Sequence, residues 1–312
     1  MCEIGSETNS IAQTEQRNLR TMNMDSLPAD KLVRLLFEET IDVRQAVEAV
    51  LPQLGALVEV AARCVTNGGR IIYVGAGTSG RLAVLDASEC PPTFSVPATM
   101  VVGVIAGGNT ALTTAVEGAE DDIARGAAEV NELNVNDNDV VIGLASSGST
   151  PFVAGALQQA RILRAVTAVI VNVTNAPLAQ HADFCLVAVT GPEPLTGSTR
   201  MRAGTSQKVI LNIISTGVMV ITGRVYSNLM VDVQPTNNKL KNRAVRLVAE
   251  AAGVSMDIAV STLEQCNWQC KPAIMMLATS VTAEEAIRML GVYRGNLRAS
   301  LEACSAQFGT AL

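Results

Sequence analysis

Residues Arg70–Pro92, RIIYVGAGTSGRLAVLDASECPP, decide the fold. Arg70–Val74 reads as a buried strand, and Gly75, Gly77 and Gly80 as a glycine turn. A helix opens at Thr78 or Ser79 and carries Glu89 to its far end, where Pro91 and Pro92 are expected to stop it. A glycine turn between a strand and a helix is an anion site. Glycine permits close backbone approach, and the first N–H groups of the helix have no internal partner.

Outward from this stretch, apolar runs recur: Ile71–Val74, Met100–Ile105, Val140–Leu144, Val166–Val173 and Phe184–Val189. Helical stretches lie between most of them, at 81–88, 111–133 and 152–163. Continuous apolar strands alternating with helices predict a doubly wound α/β domain. Its five-stranded parallel sheet would be covered on both faces, with ligands at the carboxyl ends of the strands. Helical periodicity at 29–39 and 41–67 precedes the sheet. After it come a polar loop, LTGSTRMRAGTSQK, a long apolar helix ending at Gly223, and amphipathic helices at 239–252, 255–264, 270–279 and 283–290. The expected organisation is an N-terminal helical lead-in (1–58), an α/β domain (59–230) and a small C-terminal helical domain (239–312). Residues 1–18 look like a flexible polar segment.

Composition narrows the function. Apolar residues make up 48% of the 312 and aromatics 3%, so the core is aliphatic. A net charge of −6 without a basic run argues against nucleic acid or an anionic membrane as partner. The apolar run Val209–Ile221 is interrupted by Asn212, Ser215, Thr216 and Gly217 and is shorter than the roughly 20 residues of a bilayer span, so it reads as a buried helix. With no signal-peptide pattern, a soluble cytoplasmic protein is expected. Seven scattered cysteines and one histidine, His181, give no metal-ligand spacing, and the thiols are read as free or buried. A Ser-His-Asp apparatus on His181 is the lesser reading of that residue.

Gly75-Ala76-Gly77-Thr78-Ser79-Gly80 has the G-x-G-x-x-G spelling of a dinucleotide fold. The second strand, however, ends Val104–Asn109 without the carboxylate that would hold a ribose, which disfavours a nicotinamide cofactor. The turn offers Thr78 and Ser79 instead. A second hydroxyl turn, Ser146-Ser147-Gly148-Ser149-Thr150-Pro151, follows the third strand. One such turn is ordinary helix capping. Two on one parallel sheet point to a sugar phosphate held by Gly77, Thr78, Ser79, Ser146, Ser147, Ser149 and Thr150. Glu89, Glu117 and Glu120 are the carboxylates available for proton transfer beside a carbonyl, the last two read as sharing a helix face.

The segments GAGTSGRLAVLDASECPPTF, IAGG, AVEGAED, SSGSTPF, TGSTRMRAGTSQK and NLMVDVQPTN together closely resemble the N-acetylmuramic acid 6-phosphate etherases, across about residues 14–290. The resemblance implies the SIS (sugar isomerase) fold and a cytoplasmic homodimeric lyase of cell-wall recycling. Such an enzyme cleaves the D-lactyl ether of N-acetylmuramate 6-phosphate to N-acetylglucosamine 6-phosphate and D-lactate, without metal or nucleotide. The family's catalytic glutamates fall on Glu89 and Glu120. Glu120 would be the base at C2 and Glu89 the acid toward the lactate oxygen, which calls for a partly buried Glu89 with a raised pKa. One departure stands out. The family's second hydroxyl loop usually reads SGRTP, and this chain has Ser149 in place of the arginine. That removes a cation and weakens phosphate or lactate-carboxylate binding unless Arg200 or Arg202 compensates. Two rivals share the fold: an aldose–ketose sugar-phosphate isomerase, and a non-catalytic phosphosugar sensor. The retention of both glutamates speaks against the sensor.

Overall fold

Three helices lead into the sheet: α1 (Ala29–Glu38), α2 (Ile41–Glu48) and α3 (Leu51–Thr66). The architecture is that of a computed structural model, which describes residues 12–233, 235 and 237–308. The single helix expected over 41–67 is split at Ala49–Val50, where Pro52 takes a first-turn position of α3. The flexible segment expected at 1–18 is corrected for residues 12–18, and residues 1–11 lie outside the described range. Thr14 and Asn18 are buried, and Asn18 Nδ2 donates to Glu39 Oε2 at 2.5 Å.

The apolar runs then form β1 (Ile71–Gly75), α4 (Gly77–Phe94), β2 (Val101–Ile105), α5 (Ile123–Glu132), β3 (Val140–Ala145), α6 (Pro151–Ile162), β4 (Val166–Val171), β5 (Phe184–Val187) and α7 (Arg202–Ile221). All strands are parallel, in the order β2-β1-β3-β4-β5. Alternate side chains serve opposite faces. Ile71, Tyr73, Ile142 and Ile170 pack with α3, α4 and α7, whereas Ile72, Val74, Val141 and Val169 pack with α6. Burial on both faces is why the strands read as unbroken apolar runs. By length and composition α7 could cross a bilayer, but half of it is buried against the sheet layer, including Ile210, Ile214 and Val218.

Three expectations are revised. Helix α4 does not stop at Pro91 and Pro92. Proline removes the N–H bonds to the turn before it but leaves its own carbonyl free, and Ser95 N–H closes the last turn on Pro91 O at 2.9 Å. The helix expected over 111–133 is mostly irregular: 3-10 turns span Gly108–Leu112 and Ala119–Asp121, with Gly118 left-handed at φ +72° just before the second. Asp122 starts α5 by accepting the Arg125 N–H at 2.8 Å, so Glu117 and Glu120 do not share a helix face. Helix α7 begins inside the stretch read as a loop, at Arg202.

Beyond the sheet, α8 (Asn238–Ala252), α9 (Met256–Gln265), α10 (Cys270–Thr279), α11 (Ala283–Val292) and the unanticipated α12 (Leu297–Phe308) bury a separate apolar cluster around Val248, Leu263, Ile274 and Leu301. Residues 309–312 lie outside the described range.

Candidate functional site

The chain runs from β1 outward to β2 and then returns to the other side of β1 for β3. The carboxyl ends of β1 and β3 therefore flank the topological switch point, where an open parallel sheet leaves a crevice. Both hydroxyl turns lie there. Gly77 takes φ +52°, which lets the backbone turn sharply from strand into helix, and Gly80 leaves no room for a Cβ against Ile105 and the Gly75 carbonyl. No side chain caps α4 or α6, although hydroxyls surround both starts. Helices α5, α8, α9 and α11 each bind a side-chain cap of their own. Ordinary capping therefore does not account for the two turns.

The hydroxyls divide by their partners. Ser79, 7% exposed, donates its proton to Gln207 Oε1 at 2.8 Å. Gln207 Nε2 in turn donates to Ser146 Oγ at 3.0 Å and Asn172 Oδ1 at 3.1 Å. The two turns are thus tied to each other through one buried amide from α7. Ser79 spends its only proton on this tie, while Ser146 accepts and keeps its own. Ser147 and Ser149 are exposed, Ser149 Oγ donating to Ser147 Oγ at 3.2 Å; Thr78 and Thr150 are half-exposed and Gly77 is open to solvent. Gln207 was not singled out in the sequence. Only its place inside the TGSTRMRAGTSQK segment hinted at it.

Glu120 sits on the 3-10 turn after β2 and lines a cavity of about 190 Å³ with Ala76, Gly77, Arg81, Ala106 and Glu117. The start of α4 and one expected catalytic carboxylate therefore share a cavity. Glu89 does not join them. It lies twelve residues after Gly77 on the same helix, about 18 Å away at 1.5 Å per residue. It lines a different cavity, of about 510 Å³, with Met230, Leu240 and Arg243. The expected burial of Glu89 is corrected: it is exposed, because α4 turns Asp86, Ala87 and Cys90 toward the core and Glu89 to solvent. His181 faces Gln158 of α6, their nitrogens 3.2 Å apart. Among the described residues no group of three His, Cys, Asp or Glu side chains could hold a metal ion.

The start of α7 is arranged differently. Glu193, fully buried, accepts Arg202 N–H at 2.8 Å and Ala203 N–H at 2.9 Å. Burial pushes its carboxyl up, against the pull of those two N–H groups. Arg202 is 4% exposed and binds Glu39 at 3.2 Å, Asp42, and Pro192 O at 2.6 Å. Burial lowers its pKa. With its fork engaged, Arg202 cannot replace the arginine missing at Ser149. Arg200 is exposed, in the loop whose Thr199 carbonyl approaches Gly204, itself packed on Thr78.

A five-stranded parallel sheet with two uncapped hydroxyl turns at its switch point is the architecture of a SIS-domain protein. The SIS domain model matches residues 123–214, and the glucokinase regulatory protein N-terminal SIS domain model matches residues 53–161. Phosphoheptose isomerase from Francisella tularensis is similar in fold, with a TM-score of 0.51 and 18% identity over 62% of this chain and 100% of that one. The sequence is 52% identical over 288 residues to the N-acetylmuramic acid 6-phosphate etherase of Yersinia pestis (strain Pestoides F), covering 92% of this chain and 98% of the relative. The same figures hold for that of Yersinia pseudotuberculosis serotype O:1b (strain IP 31758). The chain belongs to the N-acetylmuramic acid 6-phosphate etherase family.

Proposed function

We propose that this chain is a cytoplasmic, homodimeric lyase that releases D-lactate from N-acetylmuramate 6-phosphate in amino-sugar recycling. The observation that carries the reading is the shared cavity of Glu120 and the uncapped start of α4, which sets a carboxylate beside an anion-binding turn. The phosphate is held by the N–H groups and hydroxyls of Gly77, Thr78, Ser146, Ser147, Ser149 and Thr150, with Ser79 bracing the turn through Gln207. Arg200, exposed in the loop that leads into α7, supplies a cation in place of the missing loop arginine.

In the open-chain aldehyde the C2 proton is acidic, and Glu120 removes it. The electron pair forms the C2–C3 double bond as the C3–O bond breaks, and the lactate oxygen takes a proton from Glu89. Water then adds at C3 of the unsaturated aldehyde, and its excess proton and the one returned to C2 restore the two carboxyl groups. The product is N-acetylglucosamine 6-phosphate. Glu89, about 18 Å from Gly77 in its own chain, reaches this site from a second copy. Helix α1 supports the dimer: it buries none of its own residues and leaves Val33 and Phe37 67% and 74% exposed.

The test is D-lactate release by wild type, Glu89→Gln and Glu120→Gln, and then by the two variants mixed and allowed to exchange subunits. Each variant alone is expected to be nearly inactive. The mixture should recover about a quarter of wild-type activity, since half the dimers then carry one intact site. No lactate from wild type would sink the reading, and a dead mixture would sink the shared site.

A further inference from the structure

The Glu120 cavity contains one cation, and the reaction as described leaves it unused. Arg81 follows Gly77 by four residues on α4 and so faces the same side of the helix. Its Nε donates to Leu112 O at 3.1 Å, which fixes the arm against the Gly108–Leu112 turn. That bond leaves the terminal guanidinium nitrogens to the cavity, and Arg81 forms no ion pair with Glu117 or Glu120 although all three line the same 190 Å³. A planar fork held at its stem and unpaired at its tip suits a planar two-oxygen anion.

The proposed substrate carries two anions, and the hydroxyl turns account for the phosphate. The other is the lactyl carboxylate, two bonds from the ether oxygen on C3. Since C3 adjoins C2, this carboxylate must lie close to the base, within the same cavity. There it would meet Glu117 and Glu120, two like charges in a confined space. We infer that Arg81 receives the lactyl carboxylate and is the residue that selects a 3-O-lactyl sugar over sugars with an uncharged ether. The inference rests on the etherase reading and adds a substrate contact to it.

The test compares N-acetylmuramate 6-phosphate with its lactamide, in which the carboxylate is replaced by a neutral carboxamide. For wild type, kcat/KM should favour the acid by about 10- to 100-fold, the range for a charge-assisted pair. Arg81→Gln should lose about that factor on the acid and little on the amide, so the preference collapses. Arg81→Lys, which keeps the charge without the fork, should fall between. Equal losses on both substrates would overturn the inference and leave Arg81 as a brace for the Leu112 turn, with the etherase reading intact. Unchanged preference in both variants would overturn it as well. A wild type that cleaves neither substrate would overturn the etherase reading, and this inference with it.

Discussion

Helices α4 and α7 both begin at the carboxyl edge of the sheet, and their first turns have opposite fates. At α7 an internal carboxylate, Glu193, fills the helix end and is sealed under Arg202, Glu39 and Asp42. At α4 the end stays open, with Gly77 exposed and no side chain bound to it. Both ends offer the same partial positive charge and unpaired N–H groups. The chain satisfies one itself and leaves the other open. Under the proposed function, the phosphosugar takes the place at α4 that Glu193 takes at α7.

This contrast can be broken at either end. The largest expected effect is at the open end: Glu120→Gln should slow D-lactate release by about 10³-fold, within the range of general-base catalysis. Its thermal unfolding should stay near wild type, because Glu120 is exposed. At the filled end the balance reverses. Glu39→Ala leaves Arg202 buried with one partner fewer, and denaturant unfolding should show a loss of about 3 kcal/mol. A third substitution turns one end into the other. Ala76→Asp puts a carboxylate at the N-cap of α4 and should stabilise the fold by up to about 1 kcal/mol. Phosphosugar affinity, measured by calorimetry, should drop by at least about 30-fold through like-charge repulsion. Unaltered affinity would show that the phosphate does not sit at this helix end.

The smallest effect is on pH dependence. Burial pushes the Glu39 carboxyl up, but hydrogen bonds from Arg20 and Asn18 and the charges of Arg20 and Arg202 outweigh it and hold it below 4.5. A lowered carboxyl contributes stability that is complete above its unfolded pKa and is lost as pH falls through the folded one. Acid unfolding of wild type should therefore steepen below about pH 4.5 relative to Glu39→Gln. Identical acid limbs would remove the ion cluster from the account of the filled end.

The parts of the molecule differed in how readily their sequence could be read. The strands and the two hydroxyl turns were legible because burial on both faces leaves unbroken apolar runs, and glycines and serines mark their ends. The 111–133 segment was not, since its Ala and Glu residues suit one helix, while Gly118 and the Asp122 cap divide it. Proline argued for an early end to α4, but a last turn tolerates missing N–H donors. Gln207 and Arg81 escaped notice for a common reason. Their roles depend on which elements the sheet order brings together, and local pattern carries no trace of that. Glu89 was expected to be partly buried from the role of an acid, but burial depends on which face of α4 packs on the sheet, and that face carries Asp86, Ala87 and Cys90.

The clasp around Arg202 also has a consequence for the order in which the molecule is made. Asn18 reaches Pro192 across 174 positions, and Thr21 donates to Pro194 across 173. At 5–20 residues per second a ribosome needs roughly ten to thirty seconds to supply the second half of those contacts. Through that interval Asn18 and Thr21 lack these carbonyls, and Glu39 has no arginine from α7 to meet. Asn18, Thr21 and Glu39 are therefore among the last residues to find their partners, and a nascent chain halted short of Arg202 leaves them without those contacts.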